Sequence, residues 1–296
     1  MDSMKPVAAK APNGFIIVAV LWIIALLATL AMIYSLYARQ AGADMLHVGE
    51  RVQAEALEES GIELAVYQIT ADPQMRPASG KFGFHKGNAT VGVEFSSENS
   101  RINLNFAPKQ LLARLFTVLG ATPDDSLNFA DRIIAWRTPP TAGFDSEAAL
   151  YLTAGTKFGP RHAPFQHVAE LGLVRGIPGW LTDRALPYLT VYSGSADINV
   201  VSAPPAVLAA LPGVSPELLN LLVGQRGSSS NDNLMAQLGM ASSYITMLPC
   251  PSDRIDVDVA FLTGGHFRAQ AVVLVLPNDT EPFRVLAWRD DELAKD

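Results

Sequence analysis

His162, His167 and Glu170 are the residues of this chain whose types and spacing come nearest to a metal set. His167 and Glu170 stand at i and i+3, on one face of a helix, where an imidazole and a carboxylate can share an ion. The sequence places no further ligand beside that pair, and polar residues on a helix surface are its commoner meaning. Nucleophilic chemistry has less to draw on. There is no Gly-x-Ser-x-Gly, no phosphate-binding loop and no cysteine and histidine at a recognisable spacing. The single cysteine, Cys250, lies between Pro249 and Pro251 and reads as a small packed apolar residue. No enzymatic activity is expected.

A helix pair offers a binding alternative. Leu211-Pro212-Gly213-Val214 leads into an apolar helix from Pro216 to Val223, a pattern that resembles a helix-hairpin-helix, whose glycine turn presents backbone amides to DNA phosphates. Phosphate binding draws on Lys and Arg, and none occurs from Gly194 to Gly224; Arg226 comes only afterwards. A structural helix pair is expected, with no nucleic-acid partner. A net charge of −7 and a pI near 5.3 also argue against nucleic acid or an anionic membrane surface. A signal-anchored periplasmic binding protein, using this hairpin for DNA, is the alternative to the reading developed below.

The element that must position everything else is apolar. From Phe15 to Tyr37 there is no Asp, Glu, Lys or Arg, and at about 1.5 Å per residue such a helix matches the roughly 30 Å hydrocarbon core of a bilayer. Lys5 and Lys10 precede it, which favours a cytoplasmic N-terminus and a body across the membrane. The run exceeds a signal-peptide core of about 7–15 residues and no small-x-small site follows closely, so an uncleaved anchor is expected. From Ala38 to about Thr70 the helix continues without proline; Met45, Val48, Val52 and Ala56 recur at helical spacing, followed by Leu57, Gly61 and Leu64. Glu50, Glu55, Glu58, Glu59 and Glu63 read as a solvated face, with a subunit-contact patch as the lesser alternative.

Asp72-Pro73 and Pro77 to Gly80 end the helix. Two strands follow, Lys81 to Phe84 and Thr90 to Phe95, turning through Lys86-Gly87-Asn88. An internal repeat comes next. Ile102-Asn103 with Ala107-Pro108 leads into Leu111 to Leu115, and Ile198-Asn199 with Ala203-Pro204 leads into Val207 to Leu211, at the same offsets. Each copy predicts an extended entry, a turn set by Asn and Ala-Pro, and a helix with proline at its start. Between the copies, helices are expected over Asp125 to Trp136, capped by Thr122 or Asp124, over Gln166 to Val174 and over Leu181 to Tyr188. A polar loop from Ser228 to Asn233 precedes three strands, Ile255 to Leu262, Phe267 to Leu276 and Phe283 to Trp288. The lone cysteine excludes an intramolecular disulfide.

Asn13-Gly14 directly before Phe15 resembles a class III signal, the leader of type IV pilins and type II secretion pseudopilins, cut after the glycine by a prepilin peptidase. Most such proteins carry glutamate five residues after the cut; here that position is Ala19. The K-type minor pseudopilin family (GspK) lacks this glutamate. The order Ile-Asn-x-Asn with Ala-Pro, a helix ending at Trp136, Glu170-Leu171-x-x-Val174-x-Gly176, then Ile-Asn with Ala-Pro and Leu-Pro-Gly-Val is similar to that family along nearly the whole chain.

The resemblance implies an α+β fold: a pilin-like long N-terminal helix packed on a small antiparallel sheet, with a large inserted, mostly α-helical domain. Its expected divisions are a leader over 1–14, a transmembrane and stem helix over 15–70, a first part of the pilin-like domain over 71–106, the inserted domain over 107–248 and closing strands over 249–296. It further implies processing at Gly14 and Phe15, tip placement through Ala19, an inner-membrane anchor and a periplasmic body. The implied partners are the I- and J-type minor pseudopilins, the prepilin peptidase and the secreted substrate, and the implied role is pseudopilus initiation and protein export. Members of the family often carry an acidic, calcium-suited stretch after the tryptophan. Here that stretch is Arg137-Thr138-Pro139-Pro140, which leaves only Asp145 and Glu147 beyond it as metal ligands; calcium is possible and no cofactor is certain.

Overall fold

The structure, a computed structural model, describes residues 13–72, 75–140, 146–224, 243–277 and 279–292, without the side chains of 13–16, 38–48, 146, 291 and 292. The chain divides into two units, Met1–Glu55 and Ala56–Asp296. One helix, α1 (Asn13–Thr70), runs through both. In the first unit Ile17–Tyr37 has a mean hydropathy of 2.7 and is nowhere buried, long and apolar enough to cross a membrane.

In the second unit α1 is amphipathic. Leu57, Ile62, Ala65, Val66 and Ile69 are buried, a stripe at i, i+3 and i+4 spacing. Its line of closest approach is Gly61, where an added Cβ would stand 3.0 Å from Val257 and 3.2 Å from Val93 of the sheet. Of the expected face in this unit, Leu57 and Gly61 are buried, whereas Ala56 and Leu64 are exposed, because the sheet meets the helix along the line of the glycine. The acidic run divides as well. Glu55, Glu59 and Glu63 are exposed, whereas Glu50 and Glu58 are buried. Gly61→Leu is expected to destabilise the second unit by about 1–3 kcal/mol through overpacking, read as a lowered unfolding midpoint.

The sheet opens with the hairpin β1 (Ser79–Lys86) and β2 (Ala89–Ser97), turning at Gly87 with φ of 62°. The chain then leaves through β3 (Ile102–Asn103), α2 (Lys109–Val118), α3 (Pro123–Arg137), α4 (Ser146–Thr153), α5 (Gly179–Ala185), β4 (Leu189–Thr190), β5 (Ile198–Asn199), α6 (Pro205–Ala210), α7 (Pro216–Gly224) and β6 (Ile245–Thr246). It returns as β7 (Ser252–Phe261), β8 (His266–Val275) and β9 (Phe283–Glu292). The strand order is β1-β2-β7-β8-β9, all antiparallel, so one sheet takes strands from both sides of the helical segment. Val91, Val93 and Phe95 pair with Val259, Val257 and Ile255, and this inward row is buried under α1.

The helical lobe has its own core, in which Leu111, Leu112, Leu115 and Phe116 of α2 meet Val207, Leu208 and Leu211 at α6. Two expected helices are shorter than the sequence predicts. Within residues 166–174 only Val168–Leu173 is helical, and it is 3-10; α5 ends at Ala185, and Pro187 turns Leu186–Tyr188 into 3-10 geometry. The loop expected at Ser228 to Asn233 lies outside the described residues.

Candidate functional site

The repeat in the sequence becomes a repeat in space. Ile102 pairs in parallel with Leu189, and Ile198 with Ile245. Asn103 Oδ1 accepts from Asn105 N at 2.8 Å, and Asn199 Oδ1 accepts from Val201 N at 3.0 Å. In both copies the alanine amide returns to the asparagine carbonyl at 2.9 Å, and the proline carbonyl accepts from the first apolar amides of the helix, Leu111 and Leu112 or Val207 and Leu208. Each asparagine thus forces the tight turn that starts its helix. The helices meet end to flank: Arg114 of α2 donates to the carbonyls of Ala210 at 3.0 Å and Ala209 at 3.3 Å, capping the C-terminus of α6. Arg137, at the end of α3, closes the first turn by donating to Leu104 O and, at 2.8 Å, to Ala107 O, and burial lowers its basicity.

Around Trp136 the lobe is aromatic. Its ring stacks on Phe165 at 6.0 Å and meets Tyr151 at 6.1 Å. The Tyr151 hydroxyl accepts from Arg175 N at 2.9 Å and donates to Leu173 O at 3.2 Å, and burial raises its pKa, holding the phenol protonated. Glu147 stands in the first turn of α4, its side chain 12% exposed, with the Arg132 guanidinium 3.7 Å away. Asp145 lies outside the described residues. A calcium ion takes six to eight oxygen ligands, and among the described residues no group of three or more candidate ligands exists. What is described at Glu147 is an ion pair with Arg132.

His162, His167 and Glu170 serve the backbone instead. His162, at φ of 54°, has Nδ1 3.2 Å from Thr138 O. His167 caps the Val168–Leu173 turn, Nδ1 accepting from Ala169 N at 3.1 Å, while Glu170 reaches back to Gln166 N at 3.0 Å and to Arg161 at 3.3 Å. This is a variant of the capping box. The spacing that suggests shared metal ligation reflects a turn that needs its first amides met. The Leu211 to Val223 segment is a helix pair turning at Gly213, φ 81°, with Ser215 Oγ accepting from Leu218 N at 3.3 Å. Cys250 is buried, its Sγ 3.4 Å from Ser97 Oγ.

Gly14, Phe15 and Ala19 all lie within α1. The residues that sequence reasoning missed are Glu98, Asp253, Arg254 and Thr190. Glu98 and Asp253 have no solvent exposure, and Arg254 has 8%. One local signal marks Asp253: it is in phase with Ile255, Val257 and Val259, so its position faces inward.

A membrane-length helix whose second half carries an antiparallel sheet, interrupted by a helical lobe, defines a pilin-like protein with an inserted α-domain. Residues 95–194 match the family model described as type II secretion system (T2SS), protein K. Over those residues the chain is similar to the K-type minor pseudopilins of type II secretion. Its fold matches a chain in the crystal structure of the GspK-GspI-GspJ complex from enterotoxigenic Escherichia coli, with a TM-score of 0.61 at 16% identity, covering 86% of this chain and 99% of that one. No curated protein matches the chain. The family is a structural component of a secretion machine and not an enzyme family.

Proposed function

We propose that this pseudopilin is held in the bacterial inner membrane by Ile17–Tyr37 with its N-terminus cytoplasmic, is cut by the prepilin peptidase between Gly14 and Phe15, and then takes the tip of a periplasmic pseudopilus. There it joins the I- and J-type minor pseudopilins in initiating the filament that exports proteins across the outer membrane. The carrying observation is the family match over residues 95–194, which covers much of the inserted lobe. The solved relative's own assembly with I and J subunits supports the choice of partners. Ala19 supports the tip: a glutamate there needs a neighbour's charge, and a subunit with none above it is better served by a neutral residue.

The experiment is the intact mass and N-terminal residue of the chain from native membranes, with and without the prepilin peptidase. A peptidase-dependent start at Phe15, N-methylated, is expected. An intact Met1, or a cut beyond Tyr37, overturns the reading.

A further inference from the structure

The chain passes between the sheet and the helical lobe after Ser97 and before Ser252, and the two passages are stitched together. Cys250 N donates to Ser97 Oγ at 3.0 Å, and Asn99 Nδ2 donates to the Leu248 carbonyl at 3.0 Å. Under this seam lie the two carboxylates that have no solvent exposure. Glu98 accepts from Arg254 Nε of β7 at 2.7 Å and from the Thr190 hydroxyl of β4, with Arg101 3.7 Å away. It therefore binds the sheet and the lobe at once.

Asp253, the neighbour of Arg254 along β7, serves a third segment. Arg76, in the connector between α1 and β1, donates to its Oδ2 and, at 3.2 Å, to the Pro251 carbonyl. Two charged groups face Asp253: Arg76 attracts its negative charge, and Glu98 repels it. Its second oxygen, Oδ1, has no hydrogen-bond partner among the described residues, which makes it the open place for a proton. Burial pushes the Asp253 acid up to about 6, with Arg76 opposing and Glu98 adding to the rise. Buried ion pairs seldom add net stability, so one retained at a three-way junction is better explained as a device that sets or changes a conformation.

We propose that Asp253 is a proton-operated catch between the stem connector and the seam: ionised, it holds Arg76; protonated at Oδ1, it lets Arg76 go and lifts its repulsion from Glu98. The lobe then stays seated through Glu98, Arg254 and Thr190 while the link from the stem to β1 loosens.

The test is hydrogen exchange by mass spectrometry on the full-length chain in detergent, corrected for the intrinsic pH dependence of exchange. Between pH 7.5 and 5.0 a peptide covering Met75–Gly80 is expected to lose protection by about tenfold, the scale of one charge-assisted hydrogen bond. A peptide covering Ser97–Arg101 is expected to keep or gain protection. Asp253→Asn at pH 7.5 is expected to reproduce the acid pattern and to make it independent of pH. Equal connector protection of the wild type at the two pH values overturns the catch, whether or not the variant folds. Loss of protection at both peptides also overturns it, since that is general loosening.

Discussion

Replacing Glu98 by alanine is expected to cost about 3–5 kcal/mol, because it strands Arg254 in a site with 8% exposure and leaves Arg101 without its carboxylate. Burial and then Arg254 lower the Arg101 guanidinium to about 10, against the opposing pull of Glu98 and Asp256. Without Glu98, two guanidinium groups face each other in a poorly solvated seam. At roughly 2–4 °C per kcal/mol for a unit of this size, the unfolding midpoint of the full-length chain in detergent should fall by roughly 6–20 °C. Arg254→Met in the same background should recover part of the loss, since it removes the stranded charge and restores apolar packing. A midpoint within about 2 °C of wild type for Glu98→Ala alone would show that the seam is wetter than its burial indicates.

The legible parts of this chain are those whose cause is local. The membrane helix shows because an apolar run is its own signal, the first hairpin because Gly87 supplies a positive φ between alternating strands. The repeat shows because the same asparagine-to-backbone turn must be built twice, at Asn103 and at Asn199. Thr122 is a cap of the same kind, accepting from Asp125 N at 3.2 Å, and the sequence offers it alongside Asp124. The buried side of the stem is hidden for the opposite reason. Ala56 and Leu64 have the apolar character of a core stripe, but which stripe is covered depends on a sheet whose strands lie on either side of the lobe.

The seam shows the limit more sharply. Glu98 and Arg254 are ordinary charged residues in the sequence, and they become a buried pair only because β2 and β7 are sheet neighbours across the whole helical segment. Asp253 alone leaves a trace, its inward phase in β7. A charge placed there either marks a strand edge or predicts a buried partner, and Arg76 is that partner. His167 and Glu170 fail in the reverse direction: their spacing is real, but the groups they satisfy are amides of their own turn.

The pH dependence of stability follows from the same carboxylate and runs against the usual acid loss. The Asp253 acid rises from 3.8 in the unfolded chain to about 6 in the folded one. Between those values the native state holds a proton that the unfolded state has released, so stability falls as pH rises through the window. The penalty is absent below about pH 4, accumulates up to about pH 6 and is constant above. A rise of about 2 on the pH scale sets a ceiling of about 3 kcal/mol on it. Exposed carboxylates slope the other way: Glu217, held below its ordinary value by Ser215, loses that contact on acidification. The discriminating quantity is therefore the difference between wild type and Asp253→Asn, measured by denaturant unfolding from pH 4 to 7.5. The variant should gain on the wild type as pH rises, by about 1–3 kcal/mol at pH 7. Parallel curves would mean that Arg76 already compensates the buried charge, and the seam would then be a static fastening without a pH response.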